Sequence, residues 1–220
     1  MVSLNGKGAF TGSLLLISLV AAVIALALFG WLADEVMRGA TLRFDLAIRS
    51  AVHGLSSRQL TAVMLIITSM GSTIFLLAAT GLALVAFLSF GWQRAAIWLV
   101  IAMAGAGVLT ATMKHSFHRP RPAPFFGYTL PGSESFPSGH ALASLCFYGV
   151  VAALCSARMR TRSLRWSIWI AAAALVAAIG FSRIYLGVHY FSDVLGGYLA
   201  ATVWLGALIF TDRYYARKRK

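Results

Sequence analysis

Residues 12–33 read GSLLLISLVAAVIALALFGWLA, without one charged side chain, with Lys7 ahead of them and Asp34 and Glu35 behind. A helix needs about 20 largely apolar residues to cross the hydrocarbon of a bilayer, and this stretch supplies them. A signal peptide would share the basic start, but the apolar run outlasts the usual h-region and has no convincing cleavage site. It reads as a span. The same pattern runs through all 220 residues, of which 60% are hydrophobic and 11% charged, with a mean hydropathy of +0.80. Soluble domains carry about 25% charged residues. A disordered chain, a disulfide scaffold and an ordinary soluble enzyme are thereby excluded, and the fold class expected is all-α, an integral membrane bundle.

Further spans are expected at 73–90, 95–113, 140–157, 164–181 and 191–210. Residues 34–59 are mixed, and Leu42, Phe44, Leu46, Ile48, Val52 and Leu55 recur on roughly one face, with Arg43, Asp45 and Arg49 elsewhere. That suits a short amphipathic helix lying in the interface, with His53 an interfacial residue on it. Residues 60–90 are too many for one straight span. Gly71-Ser72-Thr73 is the natural break, leaving an interfacial or re-entrant segment before it. No repeat or linker divides the chain, so residues 1–220 are expected to form one domain of about six spans with short interfacial helices.

The net charge is +13, from 19 Lys and Arg against 6 Asp and Glu. No aromatic-basic platform accompanies it, so nucleic acid is not an expected partner. The basic residues flank the spans instead. With the amino terminus inside, Lys7, Arg94, the arginines at 158, 160, 162 and 165, and Arg213, Arg217, Lys218, Arg219 and Lys220 all fall on the inner side. That bias places both termini in the cytoplasm and turns the loop at 114–139 and the turn at 182–190 outward together. Cys146 and Cys155 lie in an apolar run and read as buried free thiols.

Polar groups near spans are costly, so their placement carries information. Three clusters fall on the outward face: Lys114 to Arg121-Pro122, Pro137-Ser138-Gly139-His140, and Ser182-Arg183 followed by His189 and Asp193. Pro137-Ser138 before an apolar run marks a helix start with Ser138 as N-cap, and its free amides favour an anion. His189 and Asp193 are four apart, one face of a helix, so the carboxylate can orient one ring nitrogen and activate the other. Lys114, Arg121 and Arg183 supply permanent positive charge, the arginines with a planar fork matched to phosphate oxygens. A histidine nucleophile, a histidine acid and a cationic cradle together describe phosphoryl transfer.

The three motifs, in this order and spacing, resemble those of the type 2 phosphatidic acid phosphatase superfamily, which also includes the vanadium haloperoxidases. The six-span layout is similar to that of its membrane branch. The resemblance implies that His189 attacks phosphorus to give a phosphohistidine, with Asp193 orienting it. It implies that His140 protonates the leaving group and then activates water, and that Lys114, Arg121, Ser138, Gly139 and Arg183 hold the phosphate oxygens. It implies no metal and no cofactor, and the residues agree: there is no HExxH, no Cys/His ligand spacing and no carboxylate cluster.

The expected partner is a phosphorylated lipid met at the outer face of a bacterial plasma membrane. Undecaprenyl pyrophosphate ranks first, then phosphatidylglycerophosphate and phosphatidic acid, then lipid A. Transfer to a second lipid instead of water is the nearest alternative. A transporter or channel is disfavoured, because no charge sits at mid-membrane. Nothing in the sequence signals an oligomeric state. Of the remaining residues, His115 and His118 have no assigned work, and Arg119 is expected to snorkel to the headgroups, with a second phosphate as the alternative. Glu134 too has no assigned work, with positioning of a headgroup or of the loop as the alternative. Phe125, Phe126 and Tyr128 anchor the loop or line the lipid entrance, and Gly105, Gly107, Gly196 and Gly197 are helix-packing positions.

Overall fold

The structure, a computed structural model, describes the backbone of residues 5–128 and 132–218 and the side chains of residues 16–128 and 132–214. The side chains of Lys7, Arg217 and Lys218, and residues Arg219 and Lys220, lie outside the described residues. All regular structure among the described residues is helical: α1 (Asn5–Met37), α2 (Leu42–His53), α3 (Arg58–Ser69), α4 (Thr73–Ser89), α5 (Gln93–Ser116), α6 (Gly139–Ser156), α7 (Arg162–Tyr185) and α8 (Phe191–Lys218). Helices α1, α5, α6, α7 and α8 are each long and apolar enough to cross a membrane, and α3 with α4 makes a sixth span if the bent pair is counted as one.

The expected break at Gly71-Ser72-Thr73 is present. Ser72 caps α4 by accepting a hydrogen bond from the Phe75 amide at 3.2 Å, and α3 and α4 meet at 52°. Any Cβ on Gly71 would lie 2.5 Å from Ile179 Cγ2 and 3.2 Å from His140 Cδ2. Only glycine lets the bend close against α6 and α7, and the Tyr148 hydroxyl ties it down by donating to the Met70 carbonyl at 2.9 Å.

Helix α8 is the centre of the bundle, with α1 along one side and α6 along another. Small residues allow this. A Cβ on Gly206 would meet Ala22 Cβ at 2.7 Å, and one on Gly197 would meet the Ser138 carbonyl oxygen at 2.6 Å. Gly105 and Gly196 are filled in the same way by Trp204 and Phe136, whereas Gly107 faces open space. Buried Phe29 of α1 stacks on Phe136 at 5.8 Å, and Phe117 meets both rings edge-on. The first helix thus supports the loop that leads into α6.

Two expectations change here. Helix α2 forms, and Leu42, Phe44 and Leu46 are exposed, as is Arg43, but Asp45 is fully buried, and Ile48 and Val52 pack on the core beside it. His53 is half-buried and stacks on Phe125 at 3.8 Å. In addition, Arg183 was expected in an outward turn, yet α7 continues through it to Tyr185. A charge ends a span only when it must reach water, and this one finds a partner in Thr68 within the bundle.

Candidate active site

Ser138 stands at the N-cap of α6 as expected, but its hydroxyl caps nothing; Oγ is buried without a hydrogen-bond partner. Its amide instead donates to the Asp193 carbonyl oxygen at 2.9 Å. That bond joins the start of α6 to the first turn of α8, so the second and third sequence clusters form one body. His140 is half-buried on the first turn of α6.

His189 is 2% exposed, in the short connection before α8. Its Nδ1 lies 3.3 Å from Asp193 Oδ2, and that oxygen also accepts from the Tyr190 amide at 2.8 Å and the Ser135 hydroxyl at 2.5 Å. An acceptor so placed holds the proton on Nδ1 and leaves the Nε2 lone pair free. Arg121 Nη1 approaches that lone pair at 3.0 Å. Burial pushes the His189 imidazole down to about 4, against the raising effect of Asp193. The ring is therefore neutral, and nucleophilic in form, at ordinary pH.

Three cations converge beside it. Lys114, on the last turn of α5, donates to the Glu134 carbonyl at 2.5 Å and to Ser133 Oγ at 3.2 Å. Arg121 spends its fork on the carbonyls of Ser133, Glu134 and Val188. Arg183 is 1% exposed and donates to Thr68 Oγ1 at 2.6 Å, while its Nε has no partner. Burial, and then the charge of Arg183, hold the Arg121 guanidinium below its ordinary range. A bound polyanion would relieve both effects.

Lys114, Arg121, Gly139, His140, Arg183 and His189 line one cavity of about 760 Å³. Beyond these residues it runs on between α4 and α5, past Leu77, Thr80 and Leu84 on one wall and Met103, Gly107 and Ala111 on the other. A charged head opening into an apolar groove fits an amphiphile. Of the other residues assigned to the site from sequence, Asp193 holds His189, and Ser138 stands behind the cavity, bonded to Asp193. His115 and His118 are exposed and Glu134 contributes its backbone. Among the described residues, no group of three or more His, Cys, Asp or Glu comes together in a way that would hold a metal ion.

The sequence pattern of the PAP2 superfamily matches residues 95–217. The chain belongs to that superfamily. Phosphatidylglycerophosphatase B of Bacillus subtilis is 29% identical over 180 residues, 81% of this chain and 86% of that protein. Undecaprenyl-diphosphatase BcrC of the same organism is 29% identical over 74% of this chain and 81% of its own length. The crystal structure of a transmembrane PAP2-type phosphatidylglycerolphosphate phosphatase from Bacillus subtilis superposes with a TM-score of 0.79 at 28% identity, covering 90% of this chain and 97% of that one.

Sequence reasoning missed Asp45, Ser135 and Ser192, which bond Asp193 or its partner Arg119, and misplaced Arg119. Arg119 does not snorkel. It is 8% exposed and paired with Asp45 at 2.7 Å and Asp193 at 2.5 Å. Two carboxylates within reach outweigh the headgroups as partners for a guanidinium. The signal was present in part: an Asp in a helix bordering lipid needs a buried partner.

Proposed function

We propose that the protein is an integral membrane phosphatase that hydrolyses a lipid phosphate monoester or pyrophosphate through a phosphohistidine on His189. The observation that carries this reading is His189 itself, held at Nδ1 by Asp193 and with Nε2 turned toward Arg121 at the head of a cavity that continues as an apolar groove. On this reading the phosphate displaces Arg121 from Nε2, and Lys114, Arg121, Arg183, the unpartnered Ser138 hydroxyl and the Gly139 amide take its oxygens. Nε2 forms the bond to phosphorus as the bond to the leaving oxygen breaks. His140 gives that oxygen a proton and then takes one from the water that cleaves the phosphohistidine. Asp193 stabilises the positive charge that develops on the ring.

The sequence ranking placed undecaprenyl pyrophosphate first. The similarity to a phosphatidylglycerophosphatase over most of both chains now puts phosphatidylglycerophosphate ahead of it, and the similarity to BcrC keeps undecaprenyl pyrophosphate second. The positive-inside bias supports a site on the outer face of a bacterial plasma membrane with both termini in the cytoplasm.

The test is inorganic phosphate release by detergent-purified protein and its His189→Ala variant on phosphatidylglycerophosphate, undecaprenyl pyrophosphate, phosphatidic acid and lipid A. Release from one lipid, absent in the variant, is expected. Near-normal release by His189→Ala would overturn the nucleophile, and silence of the wild type across the panel would overturn hydrolysis. A cysteine at Ser133, at the cavity mouth, should react with a membrane-impermeant maleimide in intact cells; reaction only with permeant reagents would reverse the topology.

A further inference from the structure

Behind the Asp193–His189 pair lies a buried cluster that joins Asp45, outside the three motifs, to Arg119 and Ser192, which fall within two of them but have no assigned role. Asp45 of α2 is fully buried and accepts from the Ser192 amide at 2.9 Å, the Ser192 hydroxyl at 2.6 Å and Arg119 Nη2 at 2.7 Å. Arg119 Nη1 donates to Ser192 Oγ at 2.7 Å and to Asp193 Oδ1 at 2.5 Å. The guanidinium also lies 4.3 Å over the Tyr190 ring. One planar fork is thus clamped between two carboxylates. It grips the oxygen of Asp193 that His189 does not use.

The charge count is the informative part. An arginine paired with Asp193 alone would cancel its charge, and the Nδ1–H of His189 would face a neutral pair. Asp45 shares the guanidinium, so Asp45, Arg119 and Asp193 together keep one net negative charge beside the ring. A purely structural ion pair has no need of the second carboxylate, whose burial is costly.

We propose that Asp45 and Arg119 are positioning residues for phosphoryl transfer: they fix the plane of the Asp193 carboxylate and preserve its charge for the imidazolium that forms on His189. The proposal rests on the reading of His189 as nucleophile.

Other charges around His189 come from every neighbouring element: Asp193 on α8, Arg121 in the loop with Glu134 beside it, Arg183 on α7, Lys114 on α5 and His140 on α6. Asp45→Asn leaves all of these in place and keeps the shape of the side chain while deleting one negative charge. His189 then holds a proton less tightly.

The experiment compares the full-length wild type, Asp45→Asn, Asp45→Glu and His189→Ala on whichever panel lipid the wild type hydrolyses. Asp45→Asn should lose about 10- to 100-fold in kcat, the range seen when outer-shell partners behind metal-bound histidines are removed. KM should be unchanged, the acid limb of kcat/KM should move to lower pH, and Asp45→Glu should recover part of the rate. A folded Asp45→Asn with wild-type kcat and an unmoved limb would overturn the proposal. Activity in His189→Ala would overturn the nucleophile reading instead, so the two failures are distinct. If Asp45→Asn does not fold, Ser192→Ala loosens the same clamp without removing charge. It should then slow kcat several-fold, and full kcat in it would overturn the proposal.

Discussion

Gly197→Ala tests whether the contact between α6 and α8 sets the rate. The added methyl would lie 2.6 Å from the Ser138 carbonyl oxygen, 2.9 Å from Ala141 Cβ and 3.2 Å from the Leu142 amide nitrogen, where ordinary contact begins at 3.4 Å. Two of these neighbours are backbone, so no rotamer relieves them. The first turn of α6 must move off α8 by about 0.8 Å, close to the misplacement of about 1 Å that costs up to about 100-fold in rate. That movement also strains the hydrogen bond from the Ser138 amide to the Asp193 carbonyl, carrying His140 away from His189. Overpacking of this kind destabilises by about 1–3 kcal/mol, so the variant should fold in detergent and melt earlier. Its kcat on the preferred lipid should fall by about 10- to 100-fold. Gly81→Ala, on α4 outside the cavity lining, where a Cβ meets nothing within 4 Å, is the control and should keep wild-type kcat without melting earlier. A Gly197→Ala protein with wild-type kcat would refute the reasoning, because the geometry allows no accommodation without movement at the site.

Three other outcomes are expected. Burial holds His189 near pKa 4, so its neutral form persists well below the ordinary imidazole value of about 6.5; the acid limb of kcat/KM should fall as pH drops through about 4, and a limb near 6.5 would contradict the burial argument. Gly107→Leu should fill the groove between α4 and α5, raising KM for a long-chain lipid phosphate about 10-fold or more while sparing a short water-soluble ester; equal effects on both would remove the groove from substrate binding. Phosphate release should survive EDTA, because three cations in the pocket repel a metal ion, and loss restored by a divalent ion would refute this.

The three motifs were legible because each is a short run whose spacing survives in one dimension. His189 and Asp193 lie one turn apart, and Pro137-Ser138-Gly139-His140 marks its own helix start. The break at Gly71 was legible for the same local reason. Helix ends were less so: α5 runs on to Ser116 and α7 to Tyr185, because Lys114 bonds the loop that follows and Arg183 bonds Thr68 within the bundle, and neither halts its helix. The partnership of Asp45 with Arg119 spans 74 residues, and periodicity says nothing about such a pair. Apolar Leu42, Phe44 and Leu46 drew attention to the wrong side of α2. On α2 apolar residues lie both outside and against the core, and the informative residue is the buried carboxylate.

The stack of Phe29 on Phe136 bears on where this protein begins as a working unit. The stretch shared with its superfamily starts at residue 95 and contains every residue of the three motifs. A chain trimmed to that stretch would lose the ring that backs Phe136, the carboxylate of Asp45 and the glycine against His140. The matched stretch holds the candidate reacting groups and their nearest partners, while further supports come from helices that it does not cover. Grafting the motifs alone onto another bundle would therefore transfer the chemistry's vocabulary without the syntax that makes it run.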